Sequence, residues 1–322
     1  MTSTKQRYAE WCRKPSVRFL RRVSFELCSV CNMRCRYCSL QKHEASYPHF
    51  MPLDVYEHAI QQLLFPPFRL EALGLYFSGE SLLHPEFERL LIKTRDMVSR
   101  TGSHQPTVYM HTNGALWTPE RTDSILQIGV LKRIIWSIDG VDSETGQHMR
   151  PGADYTRILS QLDYLLTRRR SDVEIWVNNM VDKTSMERPR DPKLVDLFRR
   201  VDKVRTIFPC DLNEGPRHGY YVTQPQQSFC CYILDTLVVT ATGRLSLCCV
   251  DLNTRNAFGD LQTQSIEEAY LGEPHRTWLD WMAQNQRCRL PGCQKCTAGD
   301  DWDSFPFGTP VMSTPDLTTA DR

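Results

Sequence analysis

The sequence predicts an α/β fold: a partial (βα)6 barrel of the TIM type, followed by a small C-terminal module of one β-hairpin and one helix. Two observations support this prediction. Short apolar runs alternate with amphipathic stretches from residue 23 to about 210. Near residue 215 this alternation stops, and a cysteine-rich hairpin pattern begins. We therefore expect an N-terminal extension (1–22), the barrel (23–222), the module (223–300) and a tail (301–322).

The barrel is predicted from six apolar runs that alternate with five amphipathic stretches. Strands and helices in this order favour right-handed βαβ units and a parallel sheet. In such folds the chemistry lies at the carboxyl ends of the strands. The predicted strands are 23–27, 70–79, 107–114, 131–140, 173–181 and 204–210, and the predicted helices are 53–64, 84–100, 118–129, 155–170 and 192–201.

The C-terminal module is predicted as a hairpin that turns at Thr242 and Gly243, then one helix from about Ser265 to Met282. A module of this size needs a staple, such as a bound metal, to be stable.

Composition narrows the classes of function. The net charge of +1 gives no overall bias toward nucleic acid or anionic membrane. No apolar run approaches the roughly 20 residues that span a bilayer, and the polar N-terminus has no signal-peptide core. These features predict a cytoplasmic protein that binds neither nucleic acid nor membrane. Reduced thiols are normal in that compartment, so the thirteen cysteines point to metal binding or catalysis.

Three of those cysteines, Cys31, Cys35 and Cys38, lie directly after the first predicted strand with C-x-x-x-C-x-x-C spacing. Three thiolates from one loop can bind a four-iron cluster and leave one iron open for a substrate or cofactor. Zinc is the alternative, although structural zinc sites usually have four ligands in paired C-x-x-C arms.

This stretch resembles the radical S-adenosylmethionine (SAM) superfamily, and further segments resemble it too. "SGES" at 78–81 stands where the family usually has G-G-E-P, so two of four positions depart from the pattern. "HTNG" at 111–114 and "SIDG" at 137–140 resemble the family's third and fourth strand ends. The resemblance covers about residues 23–215. The cofactor-binding residues that it implies are Tyr37 near the adenine, Ser78, Gly79, Glu80, Asn113, Ser137 and Asp139.

The resemblance implies a SAM cofactor on a [4Fe-4S] cluster, which together produce a 5′-deoxyadenosyl radical. For three of these residues a structural alternative stays open. Glu80 could cap a helix, and Asn113 and Asp139 could be turn residues.

The C-terminal segment resembles the SPASM and twitch modules, which bind auxiliary four-iron clusters. The resemblance rests on Gly243 five positions before Cys248, on "FGD" at 258–260, on "SIEEAY" at 265–270 and on a closing C-x-x-C. It implies one auxiliary [4Fe-4S] cluster, with Cys231 as an alternate first ligand and zinc as the alternative metal. The implied ligands are Cys230, Cys248, Cys293 and Cys296.

Cys249 follows Cys248 directly, and adjacent side chains on a strand point to opposite faces. Cys249 is therefore either a buried small hydrophobe or a thiol that donates a hydrogen atom to a substrate radical. A donor thiol must stay protonated, which an apolar site favours. Cys210 and Cys231 remain alternative donors.

The chain also resembles the aminoglycoside-tailoring branch of the superfamily, which implies epimerisation of an aminosugar carbon. The implied partners are a polycationic aminoglycoside and an electron donor such as flavodoxin or ferredoxin. A sugar-alcohol dehydrogenase, a peptide-modifying enzyme and a non-catalytic metal protein are the alternatives. The carboxylates that could meet a polycation are Asp211, Glu214, Asp235, Asp300, Asp301 and Asp303.

Overall fold

The computed structural model describes residues 18–38, 49–182, 185, 188–207, 229–230, 232–248, 251–294 and 296. The strands are β1 (Arg18–Phe25), β2 (Phe68–Gly74), β3 (Thr107–Thr112), β4 (Arg133–Asp139), β5 (Glu174–Met180), β6 (Lys203–Ile207), β7 (Thr236–Val239), β8 (Arg244–Ser246) and β9 (Ala257–Asp260). The helices are α1 (Leu53–Leu64), α2 (Phe87–Ser99), α3 (Pro119–Ile128), α4 (Ser143–Met149), α5 (Tyr155–Arg168), α6 (Pro192–Arg200), α7 (Tyr232–Asp235), α8 (Ile266–Leu271) and α9 (His275–Ala283).

Within the described residues, these nine strands form one sheet in the order β6-β5-β4-β3-β2-β1-β7-β8-β9. Neighbouring strands from β1 to β6 are parallel. This arrangement confirms the predicted α/β fold with its partial barrel. The loops that follow the parallel strands therefore meet at one edge of the sheet.

The barrel helices pack one apolar face on the sheet, as their sequence pattern predicts. In α5, the Asp154 side chain accepts a hydrogen bond from the Arg157 amide at the start of the helix. Ile158, Leu162 and Leu165 are buried on its inner face. Each buried aliphatic side chain of this kind contributes roughly 1.5–3 kcal/mol to the stability of the fold.

The first strand begins earlier than the sequence analysis predicted. β1 starts at Arg18, so residues 18–22 belong to the sheet and not to an N-terminal extension. The segment "RFLRR" was missed because its charged residues hide the alternation, although Leu20 and Val23 are fully buried.

The hairpin of the C-terminal module is continuous with the barrel sheet. β7 lies parallel to β1, with Arg22 opposite Thr236 and Phe25 opposite Val239. β8 and β9 follow in antiparallel order. β1 therefore belongs to both parts of the protein, and a rigid sheet connects them.

Two helices differ from the prediction. The single helix expected over 265–282 is divided into α8 and α9, because Pro274 provides no amide hydrogen and disfavours helical backbone in the residue before it. The short helix α4 was not predicted. Asp142 begins it with a capping box in which its side chain accepts from the Thr145 amide.

In the described residues, no helix has both the length and the apolar character needed to cross a bilayer.

Candidate active site

The three cysteines of the C-x-x-x-C-x-x-C motif lie in the loop after β1, at the carboxyl edge of the parallel strands. Cys31, Cys35 and Cys38 are all half-buried. The Arg36 amide between them donates to the Met149 carbonyl at the end of α4 (2.9 Å). Three thiols on one supported loop are a donor set that fits a cluster with three cysteine ligands.

The carboxylate of Glu80 joins the ends of two barrel strands. Its two oxygens accept hydrogen bonds from the Leu82 amide (3.2 Å), the Thr112 hydroxyl (3.1 Å) and the Asn113 amide (2.8 Å). The Glu80 amide donates to the Val30 carbonyl in the cysteine loop (2.9 Å). Burial raises the pKa of Glu80, and the three hydrogen bonds oppose this rise. Glu80 therefore caps the short helical turn after β2 and also aligns it with β3 and the cysteine loop.

Asn113 connects β3 to the first cysteine. Its side-chain amide donates to the Asn32 side chain (2.8 Å) and approaches the Cys31 sulfur (3.6 Å). Its side-chain oxygen accepts from the Ala115 amide (2.9 Å), as a turn residue would. Asn113 is thus both a turn residue and a neighbour of the cysteine loop.

Gly79 lies against the backbone of the cysteine loop. A Cβ atom at this position would overlap the carbonyl oxygens of Cys28 and Val30. The position therefore requires glycine because of close backbone approach.

The Ser78 hydroxyl next to Gly79 donates to Glu26, whose second oxygen accepts from the Ala241 amide in the hairpin turn (3.0 Å). Ser78 therefore connects the β2 loop with the C-terminal module through Glu26. Glu26 belongs to no sequence motif, so its role could not be predicted from the sequence.

A buried ion pair lies beside the cysteine loop. Arg150 donates through Nε to Asp139 Oδ2 (2.6 Å) and through Nη2 to Oδ1 (3.1 Å). The Tyr37 hydroxyl donates to the same carboxylate (2.8 Å). Burial lowers the pKa of Arg150, but the Asp139 carboxylate together with the neighbouring Tyr37 and Cys35 raises it by more, so the pKa is raised overall. Asp139 thus orients Arg150 and Tyr37.

Arg150 was missed by the sequence analysis, since "RPG" after an unpredicted helix carries no recognised pattern. Its Nη1 is buried and has no hydrogen-bond partner among the described residues. A buried guanidinium nitrogen in this position fits an anionic group, such as the carboxylate of a methionine moiety.

Ser137 is half-buried on β4, on the face opposite to the core residues Trp136 and Ile138. Its neighbour across the sheet is Asn178 of β5. The side-chain oxygen of Asn178 is buried and lacks a hydrogen-bond partner within the described ranges. The two side chains therefore offer polar atoms on the barrel's inner face.

Four cysteines of the C-terminal module line one small cavity. The cavity contains Cys230 and Cys248 from the hairpin region together with Cys293 and Cys296 from the closing C-x-x-C. No three His, Cys, Asp or Glu side chains in the described ranges form a group that could hold a single metal ion. The ligands of a four-iron cluster bind separate irons and do not converge on one point. Four thiols around one cavity fit such a cluster.

Two polar side chains in this cavity face the cysteine sulfurs. Nη2 of Arg287 lies 3.0 Å from the Cys296 sulfur, and the Asn256 side-chain amide lies 3.3 Å from the Cys293 sulfur. Neither residue was predicted to belong to the cluster site, because no sequence spacing connects them with the cysteines.

Several cationic side chains lie together on the inner face of the barrel. Arg133 and Arg205 lie over the Trp176 ring, with their guanidinium carbons 3.7 and 4.4 Å from its centre. His111 stacks on Tyr76 with a ring separation of 3.8 Å. Burial and the neighbouring arginines hold the pKa of His111 well below its usual value. This part of the barrel disfavours bound cations.

Among the predicted substrate carboxylates, Asp235 is described, and it is buried at the end of α7. Several other predicted residues lie outside the described ranges. They are the proposed donor Cys249, its alternates Cys210 and Cys231, and the carboxylates Asp211, Glu214, Asp300, Asp301 and Asp303.

A first prediction concerns Gly79→Ala. The added methyl group would displace the backbone of the cysteine loop, so the variant should lose iron and sulfide from the first site and keep them at the second. Iron and acid-labile sulfide per chain after anaerobic reconstitution measure this. Gly102→Ala is the control: its φ of +71° strains an alanine locally, but the new Cβ meets no atom within 4 Å, so the iron content should not change. Full iron content in Gly79→Ala would contradict the prediction.

A second prediction concerns Asp139→Asn, which leaves the Arg150 charge buried without its partner. Loss of one member of a buried pair costs about 3–5 kcal/mol, so the denaturant midpoint of unfolding should fall markedly. Glu144→Gln removes the exposed pair with Arg188 (2.6 Å) and should leave the midpoint almost unchanged, because water screens exposed ion pairs. Equal midpoints for the two variants would show that the buried pair does not stabilise the fold.

Two family models match the chain. A model described as the Radical SAM superfamily matches residues 25–183, and one described as the SPASM iron-sulfur cluster-binding domain matches residues 230–297. A curated relative, the AdoMet-dependent heme synthase of Nitratidesulfovibrio vulgaris, is 25% identical over 187 residues. That match covers 58% of this chain and only 46% of the relative, so it spans less than half of that protein.

Solved structures share the fold at low identity. BtrN in complex with AdoMet and 2-DOIA has a TM-score of 0.59 at 15% identity, over 91% of this chain and 96% of that one. The enzyme anSMEcpe with bound AdoMet has 0.62 at 14%, over 90% and 92%. Streptococcus suis SuiB bound to the precursor peptide SuiA has 0.64 at 12%, over 98% and 79%.

Both matched domains coincide with the two sets of cysteines, and the shared fold includes the sheet that joins them. The SAM cofactor and the iron–sulfur clusters predicted from the sequence are thereby confirmed. The chain belongs to the radical SAM superfamily and is a radical SAM enzyme with a SPASM iron–sulfur domain.

Proposed function

We propose that this enzyme is an epimerase that inverts one carbon of an aminosugar ring in an aminoglycoside. In the one auxiliary site predicted from its sequence and in the cysteine that follows one of that site's ligands, the chain resembles neomycin C epimerase. The proposed reaction is the conversion of neomycin C to neomycin B at C5‴. The observation that carries the proposal is the position of Cys248, which lines the four-cysteine cavity and directly precedes Cys249.

The sites for the two clusters follow from the same geometry. We assign the SAM-binding cluster to Cys31, Cys35 and Cys38, in the loop at the carboxyl edge of the sheet. The auxiliary cluster is assigned to the four cysteines of the cavity, with Cys230 as first ligand because its described side chain lines that cavity. Those ligands are Cys230, Cys248, Cys293 and Cys296.

The protein residues around the first site would bind and orient the cofactor. Arg150 would donate through its unpartnered Nη1 to the methionine carboxylate, while Asp139 keeps it in place. Tyr37 donates to the Asp139 carboxylate, and Ser137 offers a hydroxyl on the inner face of β4. When bound, SAM and its reduced cluster supply a 5′-deoxyadenosyl radical, which removes one hydrogen atom from carbon.

The two cysteine sites lie toward opposite ends of the barrel strands. The loop with Cys31 follows the carboxyl end of β1, which is parallel to β7. β8 runs antiparallel to β7, so Cys248 lies toward the amino end of β7. In the proposed reaction, the radical formed at the first site removes hydrogen from one face of the carbon, and the thiol returns hydrogen to the other face. Such a return to the opposite face inverts the carbon.

In the second half of the reaction, Cys249 would act as the hydrogen donor. The sulfur–hydrogen bond of its thiol breaks, and a new carbon–hydrogen bond forms on the substrate radical. The thiyl radical that remains on Cys249 takes up one electron and one proton to restore the thiol. The electron would come from an external flavodoxin or ferredoxin, and Cys249 lies beside a ligand of the auxiliary site through which it could arrive.

Carboxylates would bind the ammonium groups of the substrate. The cationic side chains around His111 repel ammonium groups from the part of the inner face that they line. A polycationic sugar therefore needs carboxylates elsewhere, and the candidates from the sequence are Asp211, Glu214 and the acidic run that includes Asp300, Asp301 and Asp303.

The reaction in deuterium oxide tests the proposal. The reconstituted enzyme with SAM, a reductant and neomycin C should give neomycin B with one solvent-derived deuterium on the inverted carbon, because an exchangeable thiol returns the atom. Mass and NMR analysis measure this. A ketone without solvent deuterium would instead identify a dehydrogenase of a sugar alcohol, and turnover of peptides alone would identify a peptide-modifying enzyme.

The Cys249→Ala variant provides a second test. It should still form 5′-deoxyadenosine, since the first site is intact, while neomycin B falls below detection. Cys288→Ala is the matched control, because Cys288 is exposed and does not line the cavity; it should retain epimerisation. Normal formation of neomycin B by Cys249→Ala would exclude Cys249 as the donor.

A further inference from the structure

Arg287 is a fully buried cation inside the four-cysteine cavity. Its side chain is 1% exposed, it lines the same cavity as Cys230, Cys248, Cys293 and Cys296, and its Nη2 donates to the Cys296 sulfur at 3.0 Å. No sequence motif includes this residue, and neither the fold nor the proposed reaction gives it a role.

A buried guanidinium is costly unless negative charge compensates it. A guanidinium is not deprotonated in proteins, so Arg287 stays charged. Its Nη2 faces the Cys296 sulfur at 3.0 Å, and the cavity that it lines contains the sulfurs of all four cysteines. The cation therefore lies beside whatever these cysteines bind.

The backbone holds Arg287 in register with two of the cysteines. The Leu290 amide donates to the Arg287 carbonyl (3.1 Å), and the Cys293 amide donates to the Leu290 carbonyl (2.9 Å). The Cys296 amide donates to the Cys293 carbonyl (3.1 Å). These successive turns connect the cation rigidly to the sulfurs that it faces.

A cation in this position has a definite effect on a cluster that accepts electrons. Reduction adds one negative charge to the cluster and its thiolate ligands, and a nearby buried cation stabilises the more negative state. Hydrogen bonds to the cysteine sulfurs act in the same direction, and both are recognised determinants of cluster potential. Arg287 supplies the charge and one such bond, and Asn256 adds a neutral donor to Cys293 (3.3 Å).

We propose that Arg287 raises the reduction potential of the auxiliary cluster, through its buried charge and its hydrogen bond to Cys296, and so keeps that cluster reducible by the enzyme's electron donor. A guanidinium suits this role because it stays charged and directs several N–H groups in a fixed plane. The proposal rests on the auxiliary cluster alone and is independent of the epimerisation.

The test is a redox titration of the auxiliary cluster, followed by electron paramagnetic resonance, in the reconstituted full-length protein and in Arg287→Gln. The variant should show at least a tenfold lower equilibrium constant for reduction, which for one electron is a decrease of 59 mV in midpoint potential. Arg289→Gln is the matched control. Its side chain lies over Trp281 (4.1 Å) and is exposed, so its midpoint should equal that of the unchanged protein.

Arg287→Lys keeps the charge but loses the planar donor, so its midpoint should lie between those of the unchanged protein and Arg287→Gln. If the glutamine variant does not retain the auxiliary cluster, the lysine variant decides: a lowered midpoint supports the proposal, and an equal or higher one overturns it. An unchanged midpoint in Arg287→Gln with full cluster content also overturns it. Loss of the auxiliary cluster from both variants would overturn the proposal in favour of a role for Arg287 in cluster retention.

Discussion

The carboxylate of Glu80 holds together the part of the barrel on which the first site depends. It accepts hydrogen bonds from the turn after β2 and from the end of β3, while its own amide holds the cysteine loop after β1. Three separate strand ends are thereby fixed around one buried acceptor. Without these bonds, the three loops would be held less firmly relative to one another, and the cysteines would be placed less accurately relative to Asn113.

The same principle extends to the C-terminal module through β1. This strand pairs with β2 on one side and with β7 on the other, so the barrel and the hairpin share a single hydrogen-bonded frame. Glu26, just beyond β1, reinforces the connection by accepting from both Ser78 and Ala241. A sheet is stiff along its strands, so the distance between the two cysteine sites is set by the strand register and not by a flexible linker.

A buried arginine is present at each of the two sites, and in each case groups that can carry negative charge lie next to it. Arg150 faces Asp139 beside the first site, and Arg287 faces the cysteine sulfurs in the second. Each guanidinium is placed where an anionic group is available within about 3 Å. Because the cost of an unpaired buried charge is several kcal/mol, these residues must be understood together with the groups that they face.

Sequence alone determined the alternation of strands and helices, the two cysteine sets and the family, because each depends on local periodicity or on spacing along the chain. Tertiary structure decided that β1 begins at Arg18, that β7 extends the barrel sheet, and that Pro274 divides α8 from α9. It also revealed Glu26, Arg150 and Arg287, which lie in no motif. Glu26 contacts Ala241, which is 215 positions away, while Arg150 and Arg287 face groups 11 and 9 positions away. In each case the contact depends on how the chain turns back in three dimensions, which neither periodicity nor motif spacing records.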